Sequence, residues 1–499
     1  MRSMKRPLSD KKNIAMRILF VSNRLPIVIE QQECDWSIHR GSGGLVTALD
    51  SVLKRWGGVW IGWPGESGIE AEKLDALLAE FSQREGYPIA AVPLSDEDYT
   101  NFYEGFCNQI IWPLFHDLQS LCNFQPDFWA NALKVEKLFA EVVQSQAQPD
   151  DLIWVQDYHL MGLGKALADR GVQNKLAFFL HIPFPPPDIF CKLPWRKEVL
   201  KALLHYEVIG LQSMRDLKNF SDCVNQLLPD VEQRHTPRQM RMTLEGRASV
   251  AGVFPIGIDH EQYAVAAARP EITKSAAELR ANFPGQQIIL GLDRLDYTKG
   301  IPYRLRSFER ALERYPDLHK KVTLFQVVVP SRETVQQYQD LKAEIEQMVA
   351  RINGKFTEPG WVPIHYVFRH VEHDELLAWY RVADIALVTP LKDGMNLVAK
   401  EYCACQLDGN GVLVLSEFAG AAEQLGRWAV LVNPYDIDCV ADAIKLAVLM
   451  TPAERRPAME KLRTNIREQN VHWWLTQFLK VCGIHLNEPM LSVPTDKVA

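Results

Sequence analysis

QIILGLDRLDYTKG, residues 287–300, begins as an apolar run and ends on two cations and a glycine. The run is short and nearly continuous, as in a strand buried on both faces of a sheet. It stops at Arg294. Lys299 and Gly300 follow, and LRSFERALERY (305–315) then has the apolar spacing of an amphipathic helix. Strand, charged loop and helix make half of a βαβ unit. The loop sits at the strand's carboxyl end, where open α/β sheets bind ligands. Helix N–H groups attract anions, and Arg294 and Lys299 both reach the same place. A diphosphate carries enough charge to use both cations. On this segment alone, an ordinary charged surface loop stays open.

The same alternation recurs along the chain. Strand candidates in the first half are 17–24, 58–63, 151–157, 175–182 and 207–213. In the second half they are 287–294, 322–330, 364–370, 383–390, 411–417 and 429–433. Amphipathic stretches such as LKNFSDCVNQLL (217–228) supply the covering helices. The fold class is therefore α/β, with two doubly wound, Rossmann-like domains facing across a cleft. The series breaks at the polar segment 230–250. VFPIGID (253–259) follows it, which places a first domain at 1–259 and a second at 260–467. NVHWWLTQFLKVC (470–482) has an aromatic cluster with no sheet of its own left to cover. The reading is a helix over about 468–485 that crosses back onto the first domain, with 486–499 as a tail.

With 499 residues, 47% of them apolar, the chain can build more than one core. A formal charge of −7 argues against nucleic acid as partner. Nine scattered cysteines without a C-x-x-C pair fit reduced thiols, and Cys403 and Cys405 read as core. No stretch has the length of a membrane span, and ILFVS after the basic start is too short for a signal-peptide core. The expectation is a cytoplasmic protein with no membrane partner. Met16 is a second candidate start, and a homo-oligomer stays open.

Other strand ends carry similar chemistry. After ADIALV comes TPLKDGMNLVAKEY (389–402), where Asp393, Gly394, Met395 and Asn396 form a tight turn before a helix. Its successive N–H groups would make an anion nest. Glu401 lies about two helical turns beyond Asp393, placed either for ribose hydroxyls or as a solvated charge. In the first half, Arg24 ends the first strand and GSGGL (41–45) opens a helix. Asp157 ends WVQD, and His181 ends AFFLHI ahead of four prolines that stiffen the next loop. Arg332 ends a strand of the second half. Two cation pairs, Arg294 with Lys299 and Arg24 with Arg332, suggest a nucleotide-linked donor and a phosphorylated acceptor. Tyr103 and Trp112 are ambiguous between site and core. No G-x-G-x-x-G follows a first strand, which disfavours a dehydrogenase.

Taken together, SNR, GGL, Y-x8-W, DYHL, HIPFP, RLDYTKG, PSR and KDGMNLVAKEY occur in the order that resembles the trehalose-6-phosphate synthases. The resemblance runs from about residue 17 to 480. It implies a GT-B glycosyltransferase that needs no metal or other cofactor. Its small-molecule substrates are a nucleoside-diphosphate glucose and glucose 6-phosphate, and transfer retains the anomeric configuration. It implies that Arg24, Tyr103, Trp112, Asp157 and Arg332 bind the acceptor. Gly43 and Gly44 would close over the donor, and His181 would contact the donor sugar. Arg294 and Lys299 would clamp the diphosphate. Asp393 would bind glucose hydroxyls, Gly394, Met395, Asn396 and Leu397 would contact sugar and phosphate, and Glu401 would bind ribose. Two rivals stay open: a glucosylglycerol-phosphate synthase using glycerol 3-phosphate, and a silent sugar-phosphate sensor. Front-side attack is implied, while a double inversion through Asp157 or Asp393 is not excluded by sequence. DIDCV (436–440) matches a phosphatase motif but follows NPY rather than an apolar strand, and reads as a loop and helix start.

Overall fold

A computed structural model describes residues 17–32, 35–41, 49, 53–54, 57–332 and 335–484. The first sheet has nine strands. Beside it, β2 (Ile27–Gln32) and β3 (Asp35–Arg40) form a separate hairpin, inserted after β1 (Ile18–Arg24). The other members are β4 (Gly58–Trp63), β5 (Ile89–Ala91), β6 (Leu152–Gln156), β7 (Lys175–Phe179), β8 (Val208–Leu211), β9 (Glu232–His235), β10 (Gln239–Leu244) and β11 (Arg247–Val253). Their order is β5-β4-β1-β6-β7-β8-β11-β10-β9, parallel except where β10 pairs with its neighbours.

The second sheet comprises β12 (Gln287–Arg294), β13 (Val322–Val329), β14 (Ile364–Phe368), β15 (Ile385–Val388), β16 (Val412–Ser416) and β17 (Val430–Val432). It is wholly parallel, in the order β14-β13-β12-β15-β16-β17. Both sheets thus start in the middle and wind outward in both directions. Each has a switch point, β1/β6 in the first and β12/β15 in the second, where the covering helices part and leave a crevice. The continuous apolar strands are buried on both faces: β4, β6, β15 and β16 have no exposed residue.

The polar segment 230–250, expected as a break, instead holds β9, β10 and the start of β11. It escapes the apolar criterion because it forms the sheet's edge, where one face meets solvent and alternates: Met240 and Met242 are buried while Arg241 is exposed. The chain then passes to the second sheet through Phe254–Asp259.

Five helices bear on the site: α1 (Tyr99–Ile111), α2 (Met214–Leu227), α3 (Ile301–Arg314), α4 (Leu397–Cys405) and α5 (Val471–Val481). The first is a π-helix of 13 residues. Tyr103 and Trp112 are nine residues apart, about two and a half turns at 3.6 residues per turn, so an α-helix would set them on opposite faces. The wider i→i+5 turn brings both toward Tyr158 and His159. The Val471 N–H at the start of α5 donates to the Ile258 carbonyl (3.0 Å), beside the crossover. That helix lies on the first sheet: Phe478 stacks on Trp154 at 4.4 Å, and Trp474 meets Trp154 and Phe179. DIDCV is a loop and helix start, with Asp436 capping the helix Ile437–Leu449. Among the described residues, no helix is long and apolar enough to cross a membrane.

The α5 seam gives a direct test. Trp474 is fully buried and Trp473 only partly. Trp474→Ala is expected to destabilise by about 3–5 kcal/mol, read as a lower urea midpoint, and Trp473→Ala to cost clearly less.

Candidate active site

The carboxyl end of β12 divides its charges between two sides. Asp293 points inward and Arg294 outward, as alternation along a strand requires. Asp293 pairs with Arg304 of α3, whose guanidinium is 1% exposed. Arg304 also donates to Thr389 Oγ1 (3.0 Å), Gln326 Oε1 (3.2 Å) and the Lys299 carbonyl (3.4 Å). One buried cation therefore ties together β12, β13, the loop after β15 and the turn that carries Lys299. Gly300 has φ 66°, and a Cβ there would lie 2.6 Å from the Thr389 carbonyl oxygen, so only glycine fits.

Asp296 was not singled out in the sequence, yet it organises this turn. Its Oδ1 accepts from the Thr298 N–H (2.9 Å) and hydroxyl (2.8 Å), while Oδ2 lies 3.8 Å from Arg332. Burial raises its pKa, but Arg332, Lys299 and Arg294 outweigh that and the net shift is downward. The legible signal was Asp followed two residues later by Thr, an Asx turn.

Lys299 Nζ lies 2.6 Å from Asp393 Oδ2. Burial alone would raise the Asp393 pKa; Lys299, helped by Asn396 Nδ2 at 3.2 Å, brings it below the usual value. The two residues expected to bind different parts of one ligand are thus partners in this structure. Arg294, by contrast, is exposed and makes no hydrogen bond or ion pair among the described residues. The turn Asp393–Asn396 is wedged between two loops. Gly420 N–H donates to the Asp393 carbonyl (3.0 Å) and Ala421 N–H to the Met395 carbonyl (2.8 Å). A Cβ on Gly394 would lie 2.1 Å from the His181 carbonyl oxygen. Asn396, at φ 81°, caps α4 through the Ala399 N–H. The N–H groups of Gly394, Met395 and Asn396 have no acceptor among the described residues. Leu397 opens α4. Glu401, one turn further on, accepts from Tyr380 (2.7 Å); burial raises its pKa against the hydroxyls of Tyr380 and Tyr263.

The first domain faces this turn with Asp157 and His181. Asp157 has φ 69°, and its Oδ1 accepts the His181 N–H at 3.1 Å. Burial pushes its carboxyl up to about 6, against the N–H groups of Tyr158 and His181 and the cations Arg294 and Arg332. The His181 ring lies between Gln156 Oε1 (3.0 Å) and Gln212 Nε2 (3.4 Å), and burial lowers its pKa to about 3.

Arg332, at φ 51°, reaches across from the second domain. It lies over Trp112 at 4.6 Å and donates to the Tyr338 and Tyr158 hydroxyls. Tyr103 stacks between Tyr99 and His159. Arg24 covers Gly65 and the Trp63 ring. The positive charges of Arg24 and Arg332 both act on the Tyr99 hydroxyl, so the two arginines converge there. Gly43 and Gly44 lie outside the described residues. Among the described residues, six non-glycines have positive φ, and four of them (Asp117, Asp157, Arg332 and Asn396) belong to this cleft or its rim. Such backbone costs about 1–3 kcal/mol per residue, and it is concentrated where the geometry matters.

Comparison with known proteins gives the family. The family model for glycosyltransferase family 20 matches residues 16–482. A trehalose-6-phosphate synthase of Cronobacter sakazakii is 40% identical over 467 residues, 93% of this chain and 94% of that protein. An alpha,alpha-trehalose-phosphate synthase (UDP-forming) from Burkholderia xenovorans, solved with glucose-6-phosphate, is 34% identical. It superposes with a TM-score of 0.83 over 93% of this chain and 99% of that one. An Escherichia coli structure bound with UDP-2-fluoro glucose is 36% identical, with a TM-score of 0.82 over 94% and 99%.

Two stability predictions follow from the charges. Lys299→Met strips Asp393 of its cation and should cost about 3 kcal/mol, read by urea unfolding at neutral pH. The raised pKa of Asp157 means that its burial penalises the fold once the carboxyl ionises. That penalty is absent below the unfolded pKa of 3.8 and complete above about 6. Asp157→Asn should therefore stabilise by about 1–2 kcal/mol at alkaline pH, and the gain should vanish as pH falls through that window. A gain independent of pH would contradict the assignment.

Proposed function

Since the chain belongs to glycosyltransferase family 20, we propose that it transfers glucose from UDP-glucose to glucose 6-phosphate with retention, forming trehalose 6-phosphate. The observation that carries this reading is the pair of cationic centres on one cleft: Arg294 and Lys299 at the end of β12, and Arg332 over Trp112 with Arg24 nearby. The relatives' UDP and glucose-6-phosphate are the ligands that such a pair fits. In this reading residues 260–467 hold the donor, and residues 1–259 with the returning helix hold the acceptor.

The bond that breaks joins the anomeric carbon to a phosphate oxygen, and negative charge grows on the leaving diphosphate. Arg294 is free to meet that charge. Lys299 shares its charge between Asp393 and the phosphate. The N–H groups of Gly394, Met395 and Asn396 face the same anion, and the sugar hydroxyls lie against Asp393 and His181. These are fixed donors aimed at developing charge, and removal of one typically costs about 10²–10³ in rate. The acceptor hydroxyl attacks the same face from which the diphosphate leaves, and its proton passes to a diphosphate oxygen. Asp393, already held by Lys299 and Asn396, is poorly placed as a nucleophile. Asp157 orients the acceptor, with Tyr103 and Trp112 as walls and Arg24 and Arg332 on its phosphate. Charge comes from side chains throughout, so the reading calls for no metal. Closure of the domains excludes the water that would otherwise hydrolyse the donor.

The test is nucleotide release from UDP-, ADP- and GDP-glucose with glucose 6-phosphate, with glycerol 3-phosphate or without acceptor, the product being identified by mass. A disaccharide phosphate formed only with glucose 6-phosphate is expected; turnover only with glycerol 3-phosphate would overturn the acceptor. Arg294→Ala should lower kcat by about 10²–10³. Arg332→Leu should mainly raise KM for glucose 6-phosphate, with slow donor hydrolysis retained.

A further inference from the structure

Three buried polar side chains next to the site have no part in the chemistry above: Gln156 at the end of β6, Gln212 just after β8, and Lys400 in α4. They are 1%, 2% and 1% exposed. Groups this deep are kept only when their hydrogen bonds matter. They converge on two residues, His181 and Ile256, and Ile256 lies in the crossover between the sheets.

The orientation of Gln212 is fixed by the backbone. The Ile256 N–H donates to its Oε1 at 2.9 Å, and only the oxygen of a carboxamide can accept. Nε2 is therefore the atom that faces His181 Nδ1, at 3.4 Å. An amide NH2 only donates, so Nδ1 must present its lone pair. Burial keeps the ring neutral, and no charged side chain contributes to that shift. Asp157 is occupied with the His181 backbone N–H. The ring's single proton then sits on Nε2, 3.0 Å from Gln156 Oε1. Gln156 turns its oxygen to the ring even though this leaves its own Nε2 without a partner among the described residues. Ile256 is held at its other end too, because Lys400 Nζ donates to its carbonyl at 2.6 Å and to Gln424 Oε1 at 2.7 Å.

We propose that Gln212 is a positioning residue that fixes His181 as the Nε2–H tautomer and takes its own orientation from the linker peptide at Ile256. The proposal rests on the reading of His181 as a ligand of the donor sugar. In that tautomer the Nε2–H, held by Gln156 Oε1 in this structure, is the donor that a sugar hydroxyl would share or take over from Gln156; in the other tautomer that nitrogen would present a lone pair. The chain segment that joins the domains thereby sets the proton position on the ring of a residue whose backbone carbonyl meets the Gly394 turn.

The experiment uses the full-length protein with 15N-labelled histidine and long-range 1H–15N correlation, with His181 assigned by the signal lost in His181→Gln. The wild type should show a neutral Nε2–H ring, unchanged from about pH 5.5 to 8. Gln212→Glu keeps an acceptor for the Ile256 N–H but turns a carboxylate toward Nδ1. The His181 signal should then report a proton on Nδ1 and a ring that titrates within that range. In parallel, kcat for glucosyl transfer should fall about tenfold or more and become pH-dependent, with KM for glucose 6-phosphate little changed. Gln212→Met, similar in shape, should leave the tautomer mixed. A wild-type Nδ1–H ring, or an unchanged Nε2–H ring in Gln212→Glu, overturns the proposal. If Gln212→Glu does not fold, the wild-type and Gln212→Met spectra still decide it. If the tautomer switches as expected but the wild type transfers no glucose, the tautomer assignment stands and the functional reading falls.

Discussion

A single buried guanidinium sets the geometry of the donor side. Arg304 has no solvent around it, and removing a charge from water costs several kcal/mol unless it is paired and fully hydrogen-bonded. Here it is paired and four of its five N–H groups are bonded: Asp293 balances the charge, and Thr389, Gln326 and the Lys299 carbonyl take three more. Those partners lie on different segments at one end of the second sheet. The requirement to satisfy Arg304 therefore fixes the relative positions of the strand ends. The turn with Lys299 and the loop leading to Asp393 are placed as a consequence. A packed apolar cluster at the same point would stabilise as well but would not specify direction, since dispersion contacts lack the angular demands of a hydrogen bond.

The charge balance in front of that scaffold suits an anionic ligand. Arg294, Lys299 and Arg332 face Asp157, Asp296 and Asp393, so the formal count cancels. Asp157 departs from it, because burial keeps its carboxyl protonated up to about pH 6. Asp296 and Asp393 stay ionised because cations stand beside them. The acids are thus sorted by environment. Two hold the cations in place, and the third keeps its proton up to about pH 6. Arg294 is the cation left over, exposed at the strand end and open to whatever anion enters.

The sequence disclosed the parts of this arrangement that depend on local pattern. Both wound sheets were legible because their central strands are continuous apolar runs, and the cations were legible because they interrupt those runs at the carboxyl ends. What stayed hidden depends on distant pairing. Arg304 stands immediately before LRSFERALERY, where its charge reads as the solvated face of an amphipathic helix; only the Asp293 partner, pointing inward one residue before Arg294, shows otherwise. Lys299 and Asp393 are 94 residues apart, and nothing local signals that they meet. The strands β9 and β10 escaped because edge strands are half polar. The π-helical turn that aligns Tyr103 with Trp112 carries a single glycine, Gly105, and a lone glycine does not announce an i→i+5 turn.

The contacts that tie the returning helix to the first sheet and those that cross the mouth of the cleft differ in kind. At the crossover, α5 packs Trp474 and Phe478 against Trp154 and Phe179, a dry aromatic contact. Across the mouth the contacts are polar. Lys392 pairs with the half-exposed Asp117, and Glu423 of the second domain accepts the Met214 and Arg215 N–H groups at the start of α2 in the first. A carboxylate at a helix N-terminus is worth about 0.3–1 kcal/mol when partly exposed, and water can replace it. Separating the aromatic seam would expose large apolar surface at roughly 25 cal/mol per Å². The contacts across the mouth are therefore the cheaper of the two to break. Ile256 lies within the crossover Phe254–Asp259, its N–H bound to Gln212 and its carbonyl to Lys400, so the linker peptide is tied through Gln212 to the His181 ring.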